Sequence, residues 1–263
     1  MTEIPKAQSN AFFDSLRQHT SAAVPSKWNV LIYGRLNTGK TTFLTTFPRP
    51  VVIASFEPNG ASSIRDIIGE SNGQVMVINK TEQDNAAQPV AYTNLLALIS
   101  ALTAGGANAP IHKIGTFCID GFTLLSESIL SAVCVEKSHE VPSQPDYFLQ
   151  LQRVKQLIKQ CLAMPCNFAM TCHESIHSDP NLGIFQRTIE ASPSIKTYLP
   201  GIFDEVYYMT VTKDGRKIIT QSNGEVMCRS RLGANKKLAL VEEPDFMKLL
   251  QKAGVSQQHK EVV

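Results

Sequence analysis

Residues 34–41 read Gly34-Arg35-Leu36-Asn37-Thr38-Gly39-Lys40-Thr41, a complete G-x-x-x-x-G-K-[ST] pattern. Each fixed position has a use toward phosphate. Gly34 and Gly39 allow backbone N–H groups to turn inward around an anion, with Asn37 and Thr38 in the turn between them. Lys40 can reach the β- and γ-phosphates of a nucleoside triphosphate, the Thr41 hydroxyl can ligate Mg²⁺, and Thr42 completes the binding stretch. The chemistry implied is binding of ATP with Mg²⁺.

Such a loop makes an ATPase only if a second acid holds the metal and another group activates water. Asp120 follows the apolar run 114–119 and could hold Mg²⁺. An aspartate there could equally cap the helix that starts after Gly121. Glu57 follows the apolar run 50–55, with Phe56 between. A carboxylate at the C-terminal edge of a parallel strand lies where open α/β sheets bind ligands, so Glu57 is the candidate general base, with a solvated loop acid as the bland reading. Thr171, in the run 166–172, or His173, just past its end, could sense the γ-phosphate by a hydrogen bond; a lone histidine is more often structural.

The elements that would position these residues alternate in type. Strand-like runs at 29–33, 50–55, 75–79, 114–119 and 166–172 are separated by helical patterns at 41–47, 60–69, 88–103, 122–137 and 146–163. That alternation predicts βαβ units, a mostly parallel central sheet and helices on both faces. The last third changes character. Residues 205–212 and 217–221 flank Lys213-Asp214-Gly215-Arg216 and read as an antiparallel hairpin. A final helix is expected over 243–252, a short one around 12–18, and a polar, frayed tail at 255–263. The expected organisation is a lead-in at 1–27, an ATPase domain at 28–240, and a helix with its tail at 241–263.

Composition narrows the class. The chain has 263 residues, is 43% hydrophobic and carries a net charge of +2, so total charge does not announce a nucleic-acid partner. No apolar run approaches the ~18 residues of a membrane span, and the opening residues 1–6 lack a secretory pattern. Cys161 and Cys166 do not have zinc-ribbon spacing, and the six cysteines read as buried, reduced thiols of a cytoplasmic protein. Charge is uneven, however. Lys213, Arg216, Lys217, Arg229, Arg231, Lys236 and Lys237 face only Asp214 and Glu225 over residues 213–237, a local balance of +5. This could be a solvated face, a set of phosphate contacts to nucleic acid, or the source of an arginine offered to a neighbouring subunit's ATP, for which Arg229 and Arg231 are the natural candidates.

Taken together, Val30-Leu31-Ile32-Tyr33-Gly34 with Gly39-Lys40-Thr41-Thr42, Glu57, Cys118-Ile119-Asp120, Met170-Thr171-Cys172-His173-Glu174, Leu199-Pro200-Gly201-Ile202-Phe203-Asp204-Glu205-Val206 and Arg229-Ser230-Arg231-Leu232-Gly233 resemble the small phage-encoded RecA-like ATPases. These are minimal RecA-core recombination proteins that act on single-stranded DNA. The resemblance spans about residues 28–235. It implies a RecA-like P-loop core and DNA-stimulated ATP hydrolysis in a homo-oligomeric filament or ring, with a single-strand-binding protein as a further partner. It implies Glu57 as the catalytic glutamate, His173 as the γ-phosphate sensor, and Arg231 or Arg229 acting across the subunit interface. Loops at about 136–146 and 175–194 would meet DNA. The motifs alone leave open an ATPase acting on protein partners, such as a helicase loader or motor, and a small-molecule kinase.

Overall fold

The computed structural model describes residues 27–79, 84–85, 87–179, 184–234 and 237–255. The expected helix at 12–18, and all but the first residue of the polar tail, lie outside them.

Six strands form the parallel part of the sheet: β1 (Asn29–Gly34), β2 (Val51–Ser55), β3 (Val75–Asn79), β4 (Thr116–Asp120), β5 (Asn167–Asp179) and β7 (Glu205–Thr212). Their order is β7-β1-β5-β4-β2-β3, and every neighbouring pair is parallel. Four strands are added antiparallel. β8 (Gly215–Ile219) folds back on β7, and β10 (Val241–Glu242) follows at the edge. β9 (Arg229–Ser230) pairs with the start of β7, and β6 (Ile184–Ile189) pairs with the far half of β5. The expected mostly parallel α/β sheet with a late antiparallel hairpin is what the chain forms.

Strand periodicity divides the side chains between two faces. Leu31 and Tyr33, Val52 and Ala54, Phe117 and Ile119, and Phe168 and Met170 face one core. Covering that core are α3 (Ala91–Thr103), α4 (Phe122–Lys137), α5 (Gln144–Ala163) and α6 (Pro193–Ile202). Val30 and Ile32, Val51 and Ile53, Cys118, Ala169, Tyr207 and Met209 face the other. There they meet α1 (Lys40–Leu44), α2 (Arg65–Glu70) and α7 (Phe246–Lys252). Because both faces are covered, the strands read as unbroken apolar runs.

Several expectations needed adjustment. The helix placed at 60–69 begins as a tighter turn over Gly60–Ile64, and the one placed at 41–47 ends at Leu44. α6 was not foreseen, since Pro200 lies inside it. The stretch 175–194 is not one open loop: β5 and β6 pair from Glu174↔Ile189 to Asp179↔Ile184, forming an arm that continues past the sheet edge. All six cysteines are free, and five are buried.

Candidate phosphate-binding site

The phosphate loop lies between β1 and α1. Gly34 is required by proximity: a Cβ there would fall 2.2 Å from the Met209 carbonyl oxygen of β7. Asn37 and Gly39 turn the chain with φ of 59° and 95°, left-handed values that asparagine and glycine tolerate best. Thr38 Oγ1 donates to the Arg35 carbonyl at 2.9 Å. Lys40 is 8% exposed, and its ammonium donates to the carbonyls of Gly34 (3.0 Å) and Arg35 (2.8 Å). Burial lowers its pKa, opposed by Glu57 and Asp120. The ammonium therefore already sits over the loop where an anion would be bound.

The order β1-β5-β4 places β5 between the loop and the strand that carries Asp120. Asp120 shares strand parity with Cys118, and Thr171 with Ala169, so both side chains project to the α1 face. There the Thr41 hydroxyl donates to Asp120 Oδ2 at 2.8 Å and the Thr171 hydroxyl to Oδ1 at 2.6 Å. Thr171 Oγ1 in turn accepts from the Gly121 N–H at 2.8 Å. Asp120 is 1% exposed; burial raises its pKa, and the two hydroxyls pull it back only in part. The helix-cap alternative does not apply, because the capping position of α4 is Gly121 and the Asp120 oxygens accept from the two threonine hydroxyls. A buried carboxylate held against the loop threonine suits a divalent cation, whose charge would relieve the desolvation that raises the pKa.

Glu57 lies beside Asp120, because β2 and β4 are parallel neighbours and the Phe56 N–H donates to the Asp120 carbonyl at 2.7 Å. Its Oε1 is 2.8 Å from His173 Nε2. That hydrogen bond lowers the Glu57 pKa, with burial opposing. Gly121, at φ 93°, lets Glu57 approach: a Cβ at this position would be 3.1 Å from both Cγ and Oε1 of Glu57. His173 pairs across the sheet with Gly34, and its Nδ1 is 3.8 Å from Glu190.

One residue further along β5, Glu174 accepts from Arg35 of the phosphate loop at 2.9 Å and from Arg187 of β6 at 3.1 Å. The sequence did not signal this bridge, because Arg35 fills an unspecified position of the phosphate-loop pattern and Arg187 lies in no motif.

Arg229 and Arg231 lie elsewhere. β9 pairs with Glu205 and Val206 at the beginning of β7, whereas the phosphate loop leaves β1 opposite Met209, near its far end. Arg231 donates to Asp204 Oδ1 at 2.5 Å, and Arg229 to the Gly201 carbonyl at 3.0 Å. Neither reaches the phosphate loop of its own chain. Glu205 anchors this segment from within, accepting from Tyr207, Ser230 and the N–H groups of Arg231 and Leu232.

A phosphate loop on a parallel sheet, with a buried acid against its threonine, defines a P-loop ATPase. A family model described as AAA domain matches residues 26–232, and the chain belongs to that family. Among solved structures, it is similar to the assembled ATPase EscN of the enteropathogenic E. coli type III secretion system. That match has 15% identity and a TM-score of 0.46, covering 70% of this chain and 43% of the other. No curated protein matches the sequence significantly. No helix among the described residues is long and apolar enough to cross a membrane.

Proposed function

We propose that the chain is an ATP-dependent, single-stranded-DNA-binding ATPase of the recombinase type, acting as a homo-oligomer in phage DNA recombination or repair in the host cytoplasm. The ATPase domain is 28–240, flanked by 1–27 and 241–263. Gly34, Asn37, Thr38, Gly39, Lys40 and Thr42 hold the phosphates. Thr41 and Asp120 hold Mg²⁺, which when bound supplies charge neutralisation at the phosphate oxygens. Glu57 accepts a proton from the attacking water as its oxygen bonds to the γ-phosphorus and the bond to ADP breaks. Arg231 or Arg229 of a neighbouring subunit completes the site.

The observation that carries this reading is the 2.8 Å contact between Glu57 and His173. His173 stands on β5 just before the strand leaves the sheet as the β5–β6 arm, so the candidate base is tied to the root of a projecting element. Phe185 on that arm is 64% exposed, and Phe148, near the start of α5, is 60% exposed. Exposed aromatics of this kind suit stacking by unpaired bases. The α4–α5 connection is not basic, so backbone and stacking contacts carry that part of the interface. Binding at the arm would move His173 and thereby change how Glu57 is held, a population shift between two arrangements.

Steady-state ATP hydrolysis with and without single-stranded DNA tests the proposal, with Lys40→Ala and Glu57→Gln as controls. Strong stimulation by DNA, lost in both variants, is expected. Robust turnover indifferent to DNA would overturn it in favour of an ATPase directed at protein partners.

A further inference from the structure

Arg216 stands out among the basic residues of 213–237 because of where its side chain rests. A Cβ built on Gly39 would fall 2.7 Å from Arg216 Cδ, 2.9 Å from Nε and 3.0 Å from Cζ. The arginine stem and the near edge of its guanidinium therefore lie directly on the phosphate-loop glycine that precedes Lys40.

The route there is set by the sheet. β7 runs parallel to β1 as far as Gly34↔Met209, and β8 folds back with Arg216 opposite Val211, beyond that point. Ile218 packs in the core on the α1 side, so Arg216, two residues earlier, projects to the same face.

Several nearby cations are already engaged. Lys217 pairs with Glu243, Arg35 and Arg187 with Glu174, and Arg231 with Asp204. Among the described residues, Arg216 forms no ion pair and donates no side-chain hydrogen bond. An unengaged guanidinium held over a phosphate loop is matched by phosphate oxygens, which it can bind with two parallel N–H donors.

We propose that Arg216 is a nucleotide-contacting residue acting in cis, closing over the phosphate loop of its own chain onto the phosphate chain of the bound nucleoside triphosphate. This rests on the ATPase reading of the site. It separates two arginine roles. Arg216 serves the chain's own nucleotide, whereas Arg229 and Arg231 face away from it. A single chain would then hold nucleotide firmly before any neighbour docks.

Binding of N-methylanthraniloyl-ATP and -ADP to the full chain tests this, comparing wild type with Arg216→Ala, Arg216→Lys and Lys217→Ala. Removing one charged hydrogen-bonding group predicts a loss of about tenfold or more in affinity for Arg216→Ala. Arg216→Lys should recover part of it, and Lys217→Ala should match wild type. Mixing Arg216→Ala with Lys40→Ala should restore nothing, because in cis neither chain carries a whole site. Wild-type affinity in Arg216→Ala, or recovered turnover in the mixture, would overturn the proposal. If the wild-type chain bound neither probe, the ATPase reading itself would fall, a result distinct from a failure of Arg216 alone.

Discussion

His173 Nε2 lies 2.8 Å from Glu57 Oε1, joining the acid after β2 to the strand that becomes the β5–β6 arm. The bond holds the carboxylate ionised below its ordinary range and fixes where it points. Replacing His173 with alanine should therefore separate chemistry from its control. The rate without DNA should change by less than about tenfold while stimulation by DNA disappears. The acid limb of kcat/KM should also move upward, toward the ordinary glutamate value, because the cause of the depression is gone. Retained stimulation in that variant, measured by the same hydrolysis assay across pH, would contradict the coupling.

Asp120 carries the opposite shift, and the sign of its effect on stability follows. Its folded pKa is raised by burial, so its favourable contribution is complete below the ordinary aspartate value and is lost as pH rises through the folded one. Once pH exceeds the folded value, the carboxylate burdens the nucleotide-free fold. Asp120→Asn keeps Oδ1 as the acceptor for Thr171, lets the Thr41 hydroxyl accept from the new amide N–H instead of donating, and removes the charge. Its melting temperature should exceed that of wild type by about 2–4 °C at neutral pH, with the gap closing as pH falls toward 4, about the ordinary aspartate value. Mg²⁺-dependent hydrolysis should be lost. Thermal melts at several pH values, alongside turnover, check both halves.

Gly121 is the left-handed hinge between Asp120 and α4, and it leaves room for Glu57. Gly121→Ala would add a methyl 3.1 Å from Glu57 Oε1 and strain a φ of 93°, at a cost of about 1–2 kcal/mol. The chain should still fold and bind ATP. The expected outcome is a fall in kcat with KM little changed if Glu57 serves as the proposed base for water rather than as a phosphate ligand.

Arg231 is held by Asp204 at the end of the sheet away from the phosphate loop. Arg231→Ala should leave nucleotide affinity unchanged yet reduce DNA-stimulated turnover by about 10³-fold, as expected for an arginine supplied in trans. Mixed with Lys40→Ala, it should regain partial activity, because an intact loop in one chain can meet an intact arginine in the other. The same mixture made with Arg216→Ala should gain nothing over Arg216→Ala alone at sub-saturating ATP, so the paired experiment distinguishes the two arginines.

How much of this was legible in the sequence depended on distance along the chain. The phosphate loop is a contiguous motif, and β4 announces Asp120 by ending an apolar run at an acid. Glu57 was found by the same rule. α6 was hidden because Pro200 and Gly201 argue against a helix, although its face around Ile195 and Leu199 is buried. The β5–β6 arm has the sequence of a loop, because Ser175, His177 and Ser178 give polar positions without a strong β signal, and only cross-strand pairing defines it. Arg216 was seen only as part of a basic run. Its contact with Gly39 depends on β8 returning beside β7, and β7 lying beside β1, a relation no local pattern encodes. Glu174 was likewise silent, since its two arginine partners lie 139 and 13 residues away.

The helix that follows the phosphate loop has only five residues, and its support comes from the far end of the sequence. Phe246 stacks on Phe47 with ring centroids 4.0 Å apart, and the Phe246 N–H donates to the Thr46 hydroxyl. These partners are 200 residues apart. A chain emerging from the ribosome therefore carries its phosphate loop long before the packing that seats it can form. Nucleotide should be able to find a finished site only once α7 has docked, so the appearance of ATP binding during synthesis marks the arrival of the flanking helix rather than the emergence of the phosphate loop.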